Sequence, residues 1–144
     1  MGLKLKPGDM VFLDTAPFIY FFEKHPGYFP ALSAFFDQLY ETDAQAITSI
    51  ITYIELTTHP ARQKKYQLVR KYRDYLSHSH NISLFPLDMN IADYVVQLRA
   101  TYAFKTPDAI QIGTAISCGA DYIITNDKAW QQLEEIKIIL VENL

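Results

Sequence analysis

Residues 10–22 read MVFLDTAPFIYFF: four apolar residues, an aspartate, and then an apolar, aromatic-rich run. The first four, MVFL, form a short uninterrupted apolar stretch and read as a buried strand. Asp14 stops it, Thr15 can cap the helix that follows, and Pro17 is tolerable in that helix's first turn. A buried strand running straight into a helix is the opening of a crossover unit. The question is whether the rest of the chain repeats it.

It does. AQAIT (44–48), ISLFPL (82–87), YIIT (122–125) and IKIILV (136–141) are further short apolar runs. Between them lie stretches with helical periodicity. GYFPALSAFFDQLYE (27–41) carries an apolar stripe at 32, 35, 36, 39 and 40, and 49–58 reads as a helix holding Glu55. Residues 61–78 form a basic helix with Leu68, Val69, Tyr72, Tyr75 and Leu76 inward, and Asp88 is an N-cap for a helix through Tyr102. TPDAIQIGTAISCGAD (106–121) begins with a cap and a proline and ends at Gly119, and NDKAWQQL (126–133) is a short helix. Strands alternating with amphipathic helices predict an α/β fold, a parallel sheet with helices on both faces and right-handed crossovers.

The bulk properties bound the function. We expect 144 residues to form one domain spanning 1–144, with 49% hydrophobic and 20% charged residues and only 5 Gly and 7 Pro. No apolar run approaches the roughly 18 residues of a membrane span, and the first residues lack an apolar signal core, so a cytoplasmic protein without membrane partners is expected. Cys118 stands alone and can form neither an internal disulfide nor a thiolate cluster. A net charge of −3 argues against coating nucleic acid by bulk electrostatics. The distribution differs from the sum: Arg62, Lys64, Lys65, Arg70, Lys71 and Arg73 place 6 of the 13 basic residues in a 12-residue stretch. That stretch is either a solvated helix face or a local phosphate-contacting patch.

Four carboxylates are placed to meet. Ligands of open parallel sheets bind beyond the C-terminal strand ends, at a topological switch point. Asp14 directly follows the first strand, and Asp127 lies two residues past YIIT. Asp108 sits in the first turn of its helix, on the face shared with Ile112 and Ala115, and Glu55 lies on the edge of an apolar helix face beside Ile54. Each has a plainer reading: Asp14 and Asp127 as caps or Asx turns, Asp108 as a complement to the helix dipole, Glu55 as a snorkelling surface charge. Taken together these weaken, because Thr15 and Thr106 stand ready as cappers beside Asp14 and Asp108. Clustered carboxylates raise one another's pKa unless neutralised, and hard oxygen donors suit Mg²⁺ or Mn²⁺. A metal-dependent phosphodiesterase follows from that chemistry.

The blocks FLDTAPFIYFFE, TSIITYIEL, LRATYAFKTPDAIQIGTA and GADYIITNDKAW resemble the successive motifs of PIN-domain ribonucleases, and among those the VapC-type toxins of toxin–antitoxin pairs. The likeness runs from about residue 10 to 141, with the motifs in family order. It implies a PIN-like three-layer α/β/α fold with a central five-stranded parallel sheet. It also implies that Asp14, Glu55, Asp108 and Asp127 bind one or two Mg²⁺ or Mn²⁺ ions, with Thr15 and Thr125 in support. The implied activity is endonucleolytic RNA hydrolysis leaving 5′-phosphate and 3′-hydroxyl ends. A cognate antitoxin and a homodimer are the implied partners, and Arg62, Lys64, Arg70, Lys71 and Arg73 are the expected RNA-binding residues. One departure stands out: the third position of the D-T-A run in the first block, often Asn or Ser in the family, is Ala16. Its side chain cannot orient Asp14 or a bound water.

Other chemistry finds little support. The histidines at 25, 59, 78 and 80 form no HExxH pattern, and no Gly-rich phosphate loop is present. The aromatic cluster Phe18, Tyr20, Phe21, Phe22, Tyr28 and Phe29 reads mostly as core. Two rival readings stay open: a PIN-like module that binds RNA or protein without cutting, and a nuclease acting on structured DNA or in RNA processing.

Overall fold

A computed structural model describes residues 2–144. In chain order the elements are β1 (Met10–Leu13), α1 (Thr15–Phe22), α2 (Phe29–Glu41), β2 (Gln45–Ser49), α3 (Ile50–Arg62), α4 (Tyr66–His78), β3 (Ile82–Phe85), α5 (Met89–Thr101), α6 (Thr106–Ser117), β4 (Tyr122–Thr125) and β5 (Lys137–Leu140), with short 3₁₀ turns at Lys128–Gln132 and Val141–Asn143. The five strands form one sheet in the order β3-β2-β1-β4-β5, and every pairing is parallel. The expected α/β/α fold with a five-stranded parallel sheet is the one observed.

The strand pattern explains the layers. Successive side chains point to opposite faces, and both faces are covered. Val11 and Leu13, with Ala46, Tyr122 and Ile124, pack against Phe18, Leu32, Phe36, Leu56 and Leu76 from α1 to α4. Phe12, Ile47 and Ile123 face the other way, into Ile91, Val95, Leu98, Ile112, Ala115 and Trp130. The helices α5 and α6 approach closely: a Cβ on Gly113 would lie 3.1 Å from Val95 Cγ2. Glycine there lets α6 settle with its first turn at the carboxyl edge of the sheet.

Some local expectations shift. The helix read over 49–58 continues through the buried Pro60 to Arg62, and the basic stretch breaks at Gln63–Lys65, where Lys64 has φ +57°. Arg62, Lys64 and Lys65 therefore do not share a helix with Arg70, Lys71 and Arg73. Tyr40 and Ile54, read as inward or beside an inward face, are each 49% exposed, because the neighbouring elements cover those sides of α2 and α3 only in part. Among the described residues, no helix is long and apolar enough to cross a membrane.

Candidate functional site

The strand order reverses direction beside β1: the chain moves from β1 to β2 and β3 on one side, then returns to β4 on the other. That switch point lies at the carboxyl ends of β1 and β4, where open α/β sheets bind their ligands. Asp14 follows β1 and Asp127 follows β4. The helix α3 leaves β2 carrying Glu55, and α6 runs back toward β4 with Asp108 in its first turn. All four acids thus reach one edge.

Asp14 is the most constrained. Its Oδ1 accepts from Thr15 N–H at 2.8 Å and from Gln111 Nε2 at 3.2 Å, and its Oδ2 accepts the Thr125 hydroxyl at 2.7 Å. Three donors leave roughly one of a carboxylate's four lone-pair directions unused. Burial pushes the Asp14 carboxyl up to about 6; the Thr125 and Thr15 hydrogen bonds pull it down, and the charges of Glu55 and Asp108 push it further up. Asp108 is also raised, first by burial and then by Asp127 and Glu55, with Lys105 opposing. Asp14 and Asp108 are half-buried and Glu55 and Asp127 exposed, so the acids feel one another across the open rim of the site.

Glu55 has a partner inside the protein. Its Oε1 accepts the Thr15 hydroxyl at 2.7 Å. This corrects the capping argument: Thr15 is not the cap of α1, and its hydroxyl is spent on Glu55. Asp14 is the N-cap itself, while Thr106 opens α6 without making a side-chain cap. Asp127 also caps, with Oδ1 accepting from Ala129 N–H at 3.0 Å, and its own N–H donates to Thr125 Oγ1 at 3.1 Å. Capping and clustering are therefore compatible, since a carboxylate has two oxygens. The neighbouring Asn126 donates to the Tyr20 hydroxyl at 2.9 Å, tying the turn after β4 to α1.

Beneath the acids runs a buried polar network that the sequence did not single out. Gln111 is 1% exposed, and its Nε2 also donates to Thr15 Oγ1 at 3.2 Å and Thr52 Oγ1 at 2.8 Å. Its Oε1 accepts the Ser49 hydroxyl. Thr48 bridges Leu13 O and Thr52 Oγ1, each at 2.8 Å. A signal did exist: Gln111 is a lone amide in the apolar run AIQIGTA, one turn beyond Asp108. What it bonds to was not readable.

The basic residues fall on different elements: Arg62 ends α3, Lys64 lies in the turn at Gln63–Lys65, and Arg70, Lys71 and Arg73 lie on α4. Lys65 reaches a groove of about 400 Å³ whose wall includes Glu55, with Ile19, Leu56, His59 and Tyr72. Arg73 lines a separate recess with Ile50, Tyr53 and Leu84. Among the described residues no quartet acid forms an ion pair with a base; the two ion pairs are His78–Asp74 and Lys128–Glu142. Nor do any three His, Cys, Asp or Glu side chains there stand close enough together to hold one ion as they are placed. The donor set is hard oxygen without a counter-charge, and it is open rather than closed.

A parallel α/β/α sheet with an acidic centre at its switch point defines the class of this protein. More narrowly, the chain belongs to the PIN domain family, whose model matches residues 11–136. Its fold is similar to that of the DNA-bound VapBC complex of Salmonella typhimurium, at 19% identity over 92% of this chain and 98% of that one, with a TM-score of 0.74. VapBC2 from Rickettsia felis, bound to a promoter DNA fragment, gives 19% identity, coverage of 91% and 98%, and a TM-score of 0.73. A toxin–antitoxin complex from Klebsiella pneumoniae gives 24%, 93% and 99%, and 0.68. No curated protein sequence matches significantly.

Proposed function

We propose that this chain is a Mg²⁺- or Mn²⁺-dependent endoribonuclease, acting as the toxin of a toxin–antitoxin pair in the cytoplasm. The observation that carries the reading is Asp14: a desolvated carboxylate at the switch point, flanked by Glu55 and Asp108 and without a basic partner. A divalent cation supplies the missing positive charge. Its preference for keeping several waters suits an open acidic edge better than a closed cage. Asp14 and Asp108 would hold it directly, with Glu55 and Asp127 completing the set directly or through water.

When bound, such an ion activates a water and offsets charge building on the scissile phosphate. The chain's own residues prepare the place. Thr125 and Gln111 fix the Asp14 carboxylate. Thr15 fixes one oxygen of Glu55, leaving Oε2 to accept a proton from the attacking water. Lys65 and its basic neighbours attract the RNA backbone to an otherwise acidic edge.

The toxin role and a protein antitoxin are supported by fold likeness to toxin–antitoxin complexes. The proposal includes a homodimer, the assembly that the likeness to the family implies.

The test incubates purified protein with single-stranded RNA, tRNA and flap DNA, in Mg²⁺, in Mn²⁺ and in EDTA. RNA cleavage that needs the metal and disappears in Asp14→Asn is expected. Metal-dependent cutting of DNA alone would move the substrate. Metal-independent cleavage, or full activity in Asp14→Asn, would sink the proposal.

A further inference from the structure

We infer that Gln111 is a positioning residue for the metal centre: from α6 it orients the Asp14 carboxylate, a part that Ala16 cannot play from α1. The inference rests on the reading of the acids as a divalent-cation site. Residue 16 lies two places past Asp14 and has no polar side-chain atom. The side-chain amide that does reach Asp14 comes from 97 positions away, with Gln111 Nε2 at 3.2 Å from Oδ1.

The amide can face only one way. Ser49 donates its hydroxyl to Gln111 Oε1 and itself accepts Ile51 N–H at 3.0 Å. Thr15 gives its hydrogen to Glu55, so its oxygen must accept from Gln111. Turning the amide over would set Oε1 against Asp14 Oδ1 and against the Thr15 oxygen, whose hydrogen is already given to Glu55, oxygen against oxygen at both. The two amide hydrogens serve three acceptors, Thr52 Oγ1 at 2.8 Å and, sharing the other, Asp14 Oδ1 and Thr15 Oγ1, each at 3.2 Å. The network therefore has a single polarity, running from Gln111 directly to Asp14 and through the Thr15 hydroxyl to Glu55.

Packing does not require that polarity. Ala109, Ile110, Ile112 and Ala115 beside Gln111 are apolar and buried. A leucine would fill similar space without the cost of burying an amide. The amide is present for what it donates to. Because Asp108 lies one turn earlier on α6, the same helix that offers one carboxylate also aligns the second. Deleting a partner that orients a metal ligand typically weakens metal affinity 10- to 100-fold.

The test measures Mg²⁺ and Mn²⁺ binding by calorimetry without RNA, on wild type, Gln111→Leu and Ala16→Asn/Gln111→Leu, with folding checked by circular dichroism. Should the leucine variant fail to fold, Gln111→Met takes its place. We expect affinity to fall by about 10-fold or more in the single variant. Ala16→Asn, or Ala16→Ser in parallel, should restore a substantial part, which no packing role would predict. Wild-type binding matched within twofold by Gln111→Leu overturns the positioning role alone, as does a loss that neither residue-16 change relieves. Wild type binding neither ion overturns the metal reading itself, and this inference with it.

Discussion

Thr125 and Asp14, 111 positions apart in the chain, are joined by a hydrogen bond of 2.7 Å from the threonine hydroxyl to Oδ2. The same Thr125 oxygen accepts the N–H of Asp127 at 3.1 Å. One fully buried side chain thus sets the spacing between the carboxyl ends of β1 and β4 and holds two of the four acids in relation. Neither strand could move at that edge without breaking it.

Thr125→Val keeps the shape and removes the hydroxyl. Asp14 Oδ2 and the Asp127 N–H both lose a partner, at a cost of about 1–2 kcal/mol of stability. We expect metal-dependent RNA cleavage to fall by about 10- to 100-fold, with Thr125→Ser close to wild type. Initial rates at saturating Mg²⁺ measure it; a valine variant as active as wild type would remove Thr125 from the site.

The Asp14 carboxyl, raised from an ordinary 3.8 to about 6 mainly by burial, gives the metal-free protein a pH-dependent weakness. Folding favours its protonated form, so the benefit is complete below about pH 4 and is lost as pH climbs through about 6. Asp14→Asn can keep the cap on α1 but carries no charge. Denaturation in EDTA should therefore show the Asn variant gaining on wild type between about pH 4 and 6, by on the order of 3 kcal/mol, and staying level above. An advantage constant across that window contradicts the assignment.

Mass action sets a companion expectation at pH 7.5. Mg²⁺ at 100 times its dissociation constant should stabilise wild type by about 2.7 kcal/mol and leave Asp14→Asn nearly unchanged. Thermal melts with and without the ion give the answer directly. Equal shifts in both proteins would place the ion elsewhere.

Glu55 depends on Thr15 rather than on its own helix for its orientation. Thr15→Val should leave the fold intact, because Asp14 and not Thr15 caps α1. We expect kcat to fall by about 10-fold with KM little changed, and Thr15→Ser to recover most of it. A rise in KM alone would mean that Thr15 touches the substrate instead.

The basic residues split into two groups, and only one adjoins Glu55. Replacing Arg62, Lys64 and Lys65 by Gln should weaken RNA binding and flatten its salt dependence, by about 0.7 in the log–log slope for each phosphate no longer neutralised. Replacing Arg70, Lys71 and Arg73 should change the slope less. Anisotropy titrations of a fluorescent RNA in the Asp14→Asn background separate the two groups.

Much of this was legible in the chain. MVFL and YIIT are read as buried strands because a parallel sheet covered on both faces needs unbroken apolar runs, and the strand ends then locate Asp14 and Asp127. The periodicity of α6 likewise places Asp108 at its start. Side-chain facing was less legible: Tyr40 and Ile54 fit apolar patterns, but whether such a residue is covered depends on which elements lie beside it.

Local periodicity and strand-end position are enough to set the elements, the α/β class and the edge to which four acids are brought. How those acids are held depends on contacts between distant parts of the chain. Asp14 and Thr15 are both good cappers, and nothing local chooses between them. The choice is made by Glu55, 40 positions from Thr15, which draws the Thr15 hydroxyl to itself and leaves Asp14 to cap with one oxygen and bind Thr125 with the other. Gln111 is a glutamine in an apolar helix until the fold brings Ser49, Thr52, Thr15 and Asp14 around it. A hydrogen bond needs both partners within about 3 Å, and chain separation carries no information about that distance.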